Sequence, residues 1–202
     1  MQIMSSTIKS LVFAACASLA GAAPAQTVDE QRLAAYRADY KDAATPVKYV
    51  FVHADGSPCC SDGDRAKAYL LDITSAAPAK LISSAEIDRL FKEKFEIEVD
   101  NESIVKGPQG DYVVLTMNRP AEYDRKFVPC AGGMGESRAY LISIVAGKAT
   151  VIDRSFGGCG RQYKKLDSGD GIGYEVQGGN GQAKPVHYIV RGNTIARDKT
   201  VH

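Results

Sequence analysis

The sequence predicts an α+β fold: a single, mainly antiparallel β domain with an N-terminal helix, one further helix and two disulfides. Many short segments rich in β-branched and aromatic residues are separated by Gly, Pro, Asn and Ser clusters, which is typical of strands joined by turns. Two other segments have apolar residues at helical spacing. Strands and helices do not alternate regularly, so nothing favours a parallel α/β sheet.

The composition is that of an ordinary globular domain. The chain has 202 residues, of which 45% are hydrophobic and none is Trp. These values exclude a collagen, a coiled coil and a disordered chain. Lys and Arg number 25 against 24 Asp and Glu, a formal net charge of +1. Such a balance gives no electrostatic reason to expect nucleic acid or an anionic membrane as a partner.

The N-terminus has the pattern of a signal peptide at residues 1–25. A lysine is followed by an uncharged apolar run at residues 11–23, and small residues precede the expected cut before Gln26. The run is shorter than the ~20 residues that a membrane span needs. Cleavage is expected rather than lipidation at Cys16, because the lipobox is incomplete. Residues 26–202 should then form one domain, either periplasmic or secreted.

The first helix is predicted over residues 27–44. Thr27 and Glu30 have the spacing of a capping box. Apolar side chains three and four residues apart, including Tyr36, mark one face. Pro46 is incompatible with continuation, so the helix should end before it.

A strand, a loop and a second strand are expected next. Residues 47–53 are β-rich, and residues 55–64 contain Gly, Pro and Ser together with two adjacent cysteines. Residues 66–74 favour a strand, although their Ala and Lys content leaves a helix open.

The second helix should begin at Ser83, because Ser83 and Glu86 repeat the capping-box spacing, and it should end near Phe95. Short strands follow around a Gly-Pro-Gln-Gly turn. Their predicted ranges are 96–99, 104–106 and 111–118.

The second half of the chain is predicted to be strands and two irregular segments. The irregular segments, rich in Pro or Gly, are residues 119–136 and 155–173. A hairpin turns at Gly147, and a second tight turn is expected at Gly192 and Asn193. The predicted strands cover residues 138–146, 148–153, 172–177, 185–191 and 194–199.

Four cysteines remain after signal cleavage, and an even number in an exported chain predicts two disulfides. A bond between Cys59 and Cys60 would close a strained ring across one peptide bond. The two other connectivities each join this pair to Cys130 and Cys159, and the sequence leaves both open.

Two catalytic alternatives use the histidines. In the first, Cys130 or Cys159 would be a nucleophile activated by His187. In the second, His53 and Asp55 would bind a metal ion. The spacings match no known ligand motif, so no cofactor is expected.

The preferred prediction is a non-enzymatic exported protein that binds another macromolecule, most simply another protein. Disulfides would pin the loops at residues 55–64, 119–136 and 156–173 together, which lowers the entropy cost of binding. Small exported proteins of this kind include inhibitors and immunity proteins. The oligomeric state is left open. The candidate binding residues in these loops are Asp55, Asp62, Asp64, Tyr123, Arg161 and Tyr163.

Overall fold

The computed structural model describes residues 26–59, 67–93, 95–120, 135–167, 172–177 and 184–198. This part of the chain contains helices α1 (Glu30–Asp39) and α2 (Ala85–Lys92) and twelve strands. The strands are β1 (Thr27–Val28), β2 (Tyr49–Val52), β3 (Tyr69–Asp72), β4 (Ala79–Lys80), β5 (Glu96–Lys106), β6 (Gly110–Arg119), β7 (Glu136–Val145), β8 (Lys148–Gly157), β9 (Gln162–Leu166), β10 (Gly173–Gln177), β11 (Val186–Arg191) and β12 (Thr194–Arg197).

The fold is mainly antiparallel β, and the predicted α+β class is wrong. Strand accounts for 55% of the structure and helix for 13%. Both predicted helices exist but are short, so neither forms a layer of its own. No disulfide joins two of the described residues, so the two predicted disulfides have no counterpart within the described part of the chain. Cys60 and Cys130 lie outside the described ranges.

A four-stranded sheet in the order β5-β6-β7-β8 is the centre of the molecule. Its strands pair antiparallel along nearly their whole length. Val113, Val114 and Leu115 are fully buried in succession on β6. Since neighbouring residues of a strand point to opposite faces, this run shows that both faces of the sheet are covered.

One face packs against α2 and the β2–β3 hairpin, enclosing an apolar cluster that includes Leu70, Leu90 and Phe91. Hydrogen bonds connect the hairpin to both edges of the central sheet. Leu70 exchanges two backbone hydrogen bonds with Ile82, and the next residue, Ser83, accepts one from Ala149 of β8. At the other edge, the side chain of Asn101 on β5 bonds to the backbone of β2. The hairpin is thus attached to the central sheet at both of its edges, β5 and β8.

The other face packs against a second antiparallel sheet in the order β12-β11-β10-β9. Phe156 is fully buried between the sheets, with Tyr163, Tyr174 and Tyr188 around it at ring-centroid distances of 5.1–5.4 Å. The hydroxyl of Tyr174 donates to the backbone oxygens of the central sheet at distances of 2.7 and 3.0 Å. Aromatic packing and one buried hydroxyl therefore set the position of this sheet.

Helix α1 packs on the outer side of the β2–β3 hairpin. Leu33 and Tyr36 are its buried residues, and the Tyr36 hydroxyl donates to the carbonyl of Gly56 at 2.9 Å. A Cβ at Gly56 would lie 2.9 Å from Val28, and its φ is +77°. Glycine is therefore needed where this turn approaches β1.

The helix boundaries differ from the prediction because the capping residues are different ones. Thr27 belongs to strand β1, and Asp29 caps α1 by accepting from the backbone N–H of Arg32 at 2.9 Å. The N-cap of α2 is Ser84 rather than Ser83, and it makes no side-chain capping bond. A Ser or Thr with a Glu three residues later is therefore a poor marker of the exact start in this chain.

The strand predictions are confirmed in most places, and two are wrong. β2, β3, β6, β7, β8, β10, β11 and β12 lie at the predicted positions, and Arg191 pairs with Thr194 across the predicted Gly192 turn. Residues 96–106 form one strand with an irregularity between Asp100 and Val105, rather than two strands. Residues 155–173, predicted as a loop, contain β9 and the end of β8. No helix within the described ranges is long and apolar enough to cross a membrane.

Candidate functional site

A polar cavity of about 410 Å³ lies where the β2–β3 hairpin meets the start of β6 and the β7–β8 turn. Its volume is within the range of small-ligand sites. Asp111 lines this cavity, and only 7% of the residue is exposed. The polar side chains that line the cavity are Lys48, Tyr49, Asp72, Ser75, Lys80, Gln109 and Asp111.

Asp111 accepts two hydrogen bonds on the same carboxylate oxygen. The ammonium of Lys48 lies 2.5 Å and the hydroxyl of Tyr49 2.6 Å from Oδ2. Lys48 also lies 3.5 Å from the carboxylate of Asp72. The second oxygen, Oδ1, makes no hydrogen bond within the described part of the chain. Oδ1 is not one of the buried side-chain atoms that lack a partner, so it is open to the cavity and can accept a hydrogen bond from a ligand or from water.

Asn101 holds Lys48 and Tyr49 in place. Its Oδ1 accepts from both of their backbone N–H groups at 2.8 Å, and its Nδ2 donates to the carbonyl of Tyr49 at 3.0 Å. The carbonyl of Lys48 accepts from the N–H of Ile73 on the other side of the hairpin. The backbone of both residues is therefore fixed before any ligand binds, which reduces the cost of ordering the site.

The charges of the site favour protonated Lys48 and neutral Tyr49. Burial opposes the charge on Lys48, but the hydrogen bond to Asp111 and the charges of Asp72 and Asp111 outweigh it, so the pKa of Lys48 is raised. Burial, followed by the hydrogen bond to Asp111, raises the pKa of Tyr49. Both groups therefore keep their protons near neutral pH and act as donors toward Asp111.

The two described residues of the thiol alternative, His187 and Cys159, are not joined by a hydrogen bond. His187 lies on β11, and its Nε2 is 3.2 Å from the Glu175 carboxylate of β10. Cys159 lies in the β8–β9 turn, where its Sγ is 3.6 Å from the carbonyl of Ser137. Cys130, like Cys60, falls outside the described residues. Cys59 is partly buried and packs against the cluster beneath α2.

The residues of the metal alternative lie in a turn after β2. Asp55 is exposed and accepts from the N–H and hydroxyl of Ser57 at 2.9 and 2.6 Å. Hydrogen bonds from Ser57 lower the pKa of Asp55. His53 exchanges backbone bonds within the same turn. Among the described residues, no group of three or more His, Cys, Asp or Glu could hold a metal ion.

Three of the six candidate binding residues, Asp55, Arg161 and Tyr163, lie within the described structure. Tyr163 is half-buried, and its hydroxyl donates to Asp100 at 2.7 Å, so it is an internal residue rather than an exposed contact. Arg161 is exposed and donates to the carbonyl of Ser155 at 2.7 Å. Asp62, Asp64 and Tyr123 lie outside the described residues.

Sequence reasoning missed the cavity residues altogether. Asp111 directly follows a Gly-Pro-Gln-Gly turn, where an Asp normally indicates a solvated turn residue. The available signal was its place at the head of the long apolar run of β6, since such a residue enters the core. Its partner Lys48 is 63 positions away, which no local pattern indicates.

Comparison of the chain with models of known protein families, with curated proteins and with solved structures gave no match.

Proposed function

We propose that this chain is an exported, non-catalytic binding protein that takes a cationic side chain of a partner protein into the Asp111 cavity. The observation that supports this most is the Asp111 carboxylate. It is buried, it lines a cavity of ligand size, and only one of its two oxygens is bonded within the described chain. An ammonium or guanidinium group is the natural donor to such an oxygen.

The charge balance at the base of the cavity favours a cation. Lys48 contributes one positive charge, and Asp72 and Asp111 contribute two negative charges. Lys80 is exposed at the cavity wall, so water and salt screen its charge more than the charges of the buried Asp111 and the half-buried Asp72. A cation that reaches Asp111 would complete the neutralisation of the site.

The protonation states favour binding over catalysis. Lys48 and Tyr49 have raised pKa values, and a protonated amine or phenol is neither a nucleophile nor a general base at neutral pH. Their hydrogen bonds to Asp111 orient the carboxylate for a bound partner. No specific observation favours the hydrolase alternative over this function.

The proposal also includes export of the chain and a protein as its partner, and the support for export comes from the sequence. The signal-peptide pattern of residues 1–25 supports a periplasmic or secreted location. A protein that captures a basic side chain of another protein corresponds to an inhibitor or immunity-type protein. Lysine or arginine side chains are common on protein surfaces and are suitable occupants of a carboxylate pocket.

The test is calorimetric titration with three probes: Nα-acetyl-lysine methylamide, Nα-acetyl-arginine methylamide and uncharged Nα-acetyl-norleucine methylamide. We expect the two cationic probes to bind and the norleucine probe not to bind. Binding should weaken about tenfold or more in Asp111→Asn, because a charge-assisted hydrogen bond is lost. Equal binding of all three probes would contradict the proposal.

The matched control is Glu98→Gln, which removes one carboxylate at an exposed position of β5 outside the cavity. Its affinity for the cationic probes should equal that of the wild type. A methylammonium arm separates the two sources of the cation. If the natural occupant is a side chain of a protein, the lysine probe should bind more tightly than methylammonium. Equal affinity for the two would instead indicate that the occupant is a small amine.

A further inference from the structure

A second cavity, of about 340 Å³, lies between β8 and the open end of the C-terminal sheet. Its apolar floor is made of Val176 and Val186, and its polar wall contains three cations and one carboxylate. The cations are Arg161, Lys184 and Arg197, and the carboxylate is Asp153. None of these residues lines the Asp111 cavity.

We propose that this second cavity is a binding site for a small organic anion, in which the three cations hold a phosphate or carboxylate group and the apolar floor holds its body. The proposal is independent of the Asp111 cavity, and it assigns Arg161 a role in binding a small molecule.

The strand register brings these residues together. Val176 pairs with Val186, and Tyr188 pairs with Arg197, so Arg197 lies on the inner face of the sheet beside Tyr188. Side chains directly opposite each other in an antiparallel pair share a face. The cavity therefore lies where the inner face of the sheet ends.

The β8–β9 turn places Arg161 at the same end. Gly158, Cys159 and Gly160 all have positive φ values, and a Cβ at Gly158 would lie 2.3 Å from the carbonyl of Ser137. Arg161 follows directly, and its N–H donates to the carbonyl of Gly158 at 3.0 Å. A tight turn with a required glycine thus fixes the backbone of Arg161 at the cavity.

The positive charge of the cavity is only partly compensated by the described chain. The side chains of Lys184 and Arg197 make no hydrogen bond or ion pair there. Asp153 accepts a hydrogen bond from the Tyr188 hydroxyl, so one of its oxygens already has a donor within the chain. Three cations around one carboxylate leave a net positive charge, and a cavity with apolar walls concentrates the resulting field on an anion.

The electrostatics of Tyr188 agree with this geometry. Burial, and then the hydrogen bond to Asp153, raises the pKa of Tyr188, whereas the charges of Arg197 and Arg161 act in the opposite direction. Both guanidinium groups are therefore close enough to act on a group at the cavity wall. An anion in the cavity would experience the same attraction.

The test is titration of the full chain with phenyl phosphate and with inorganic phosphate at low and high salt. We expect phenyl phosphate to bind more tightly than inorganic phosphate, because its ring contacts the apolar floor. Affinity should fall as salt rises. Absence of binding at millimolar concentration, or equal affinity for both probes, would overturn the proposal.

Variants separate this site from a general effect of charge. The double variant K184Q/R197Q should bind phenyl phosphate about tenfold or more weakly, since two cations are removed. The matched control is K106Q/K148Q, which removes two exposed cations away from the cavity. An equal loss in both double variants would overturn the proposal. Unchanged binding of the cationic probes in K184Q/R197Q shows that the Asp111 cavity is intact.

Discussion

Replacing Asn101 with alanine should destabilise the fold by about 3 kcal/mol. The substitution removes three hydrogen bonds to the backbone of Lys48 and Tyr49 and a longer fourth bond to the carbonyl of Val99. A bond of this type contributes about 1 kcal/mol net. The N–H groups of Lys48 and Tyr49 then have no acceptor on β5, which adds the cost of unsatisfied donors. The loss is large compared with the ~5–15 kcal/mol of stability typical of a domain.

Urea unfolding followed by circular dichroism measures this change. The midpoint should fall while the dependence on denaturant stays the same, because the variant exposes the same surface when it unfolds. The control is Asn118→Ala, an exposed position on β6 whose side chain makes no hydrogen bond within the described chain. We expect it to change stability by less than about 0.5 kcal/mol. Equal effects of the two substitutions would refute the role given to Asn101.

Three further predictions concern buried polar groups. Burial raises the pKa of Tyr36 from 10.0 to about 12, so the folded chain keeps a proton that the unfolded chain releases. Stability should therefore fall by about 2 kcal/mol as the pH rises from 10 to 12. Urea midpoints that stay constant over this range would contradict this prediction. Glu136→Gln should lower the free energy of unfolding by about 3–5 kcal/mol, because it removes the carboxylate that pairs with the buried Arg119 guanidinium. Thermal unfolding measures this change, and a loss under about 1 kcal/mol would contradict the prediction. Tyr174→Phe should cost about 1–3 kcal/mol without changing the secondary structure, since the ring stays and only the hydroxyl bonds disappear; an unchanged melting temperature would contradict this.

The strands that sequence reasoning predicted correctly share a strong local signal. The apolar run of β6 and the turns at Gly147 and Gly192 indicate strand positions without any knowledge of distant residues. Both Gly147 and Gly192 have positive φ values in the structure, which these tight turns require.

The strands that were missed are formed by contacts that are distant in sequence. β9 has the sequence Gln-Tyr-Lys-Lys-Leu, which is polar and follows a glycine-rich turn. It becomes a strand because it pairs with β10 and because Tyr163 packs on Phe156. Thr27 likewise becomes strand because it pairs with Lys80, more than fifty residues away. Long-range pairing decides such weak segments.

The fold class was wrong for a related reason. Two capping-box patterns suggested helices long enough to form a layer, but the helices have 10 and 8 residues. The long antiparallel strands β5 to β8 form the central layer instead. The cavity residues were missed because Lys48, Asn101 and Asp111 come together only through this sheet.

Chemical-shift mapping by nuclear magnetic resonance with Nα-acetyl-lysine methylamide tests most directly whether a cation binds at Asp111. We expect the amide signals of Lys48, Tyr49, Gly110 and Asp111 to change together as the probe is added, and we expect these changes to disappear in Asp111→Asn. Changes confined to other parts of the chain, or changes that persist in the variant, would contradict binding of a cation at Asp111.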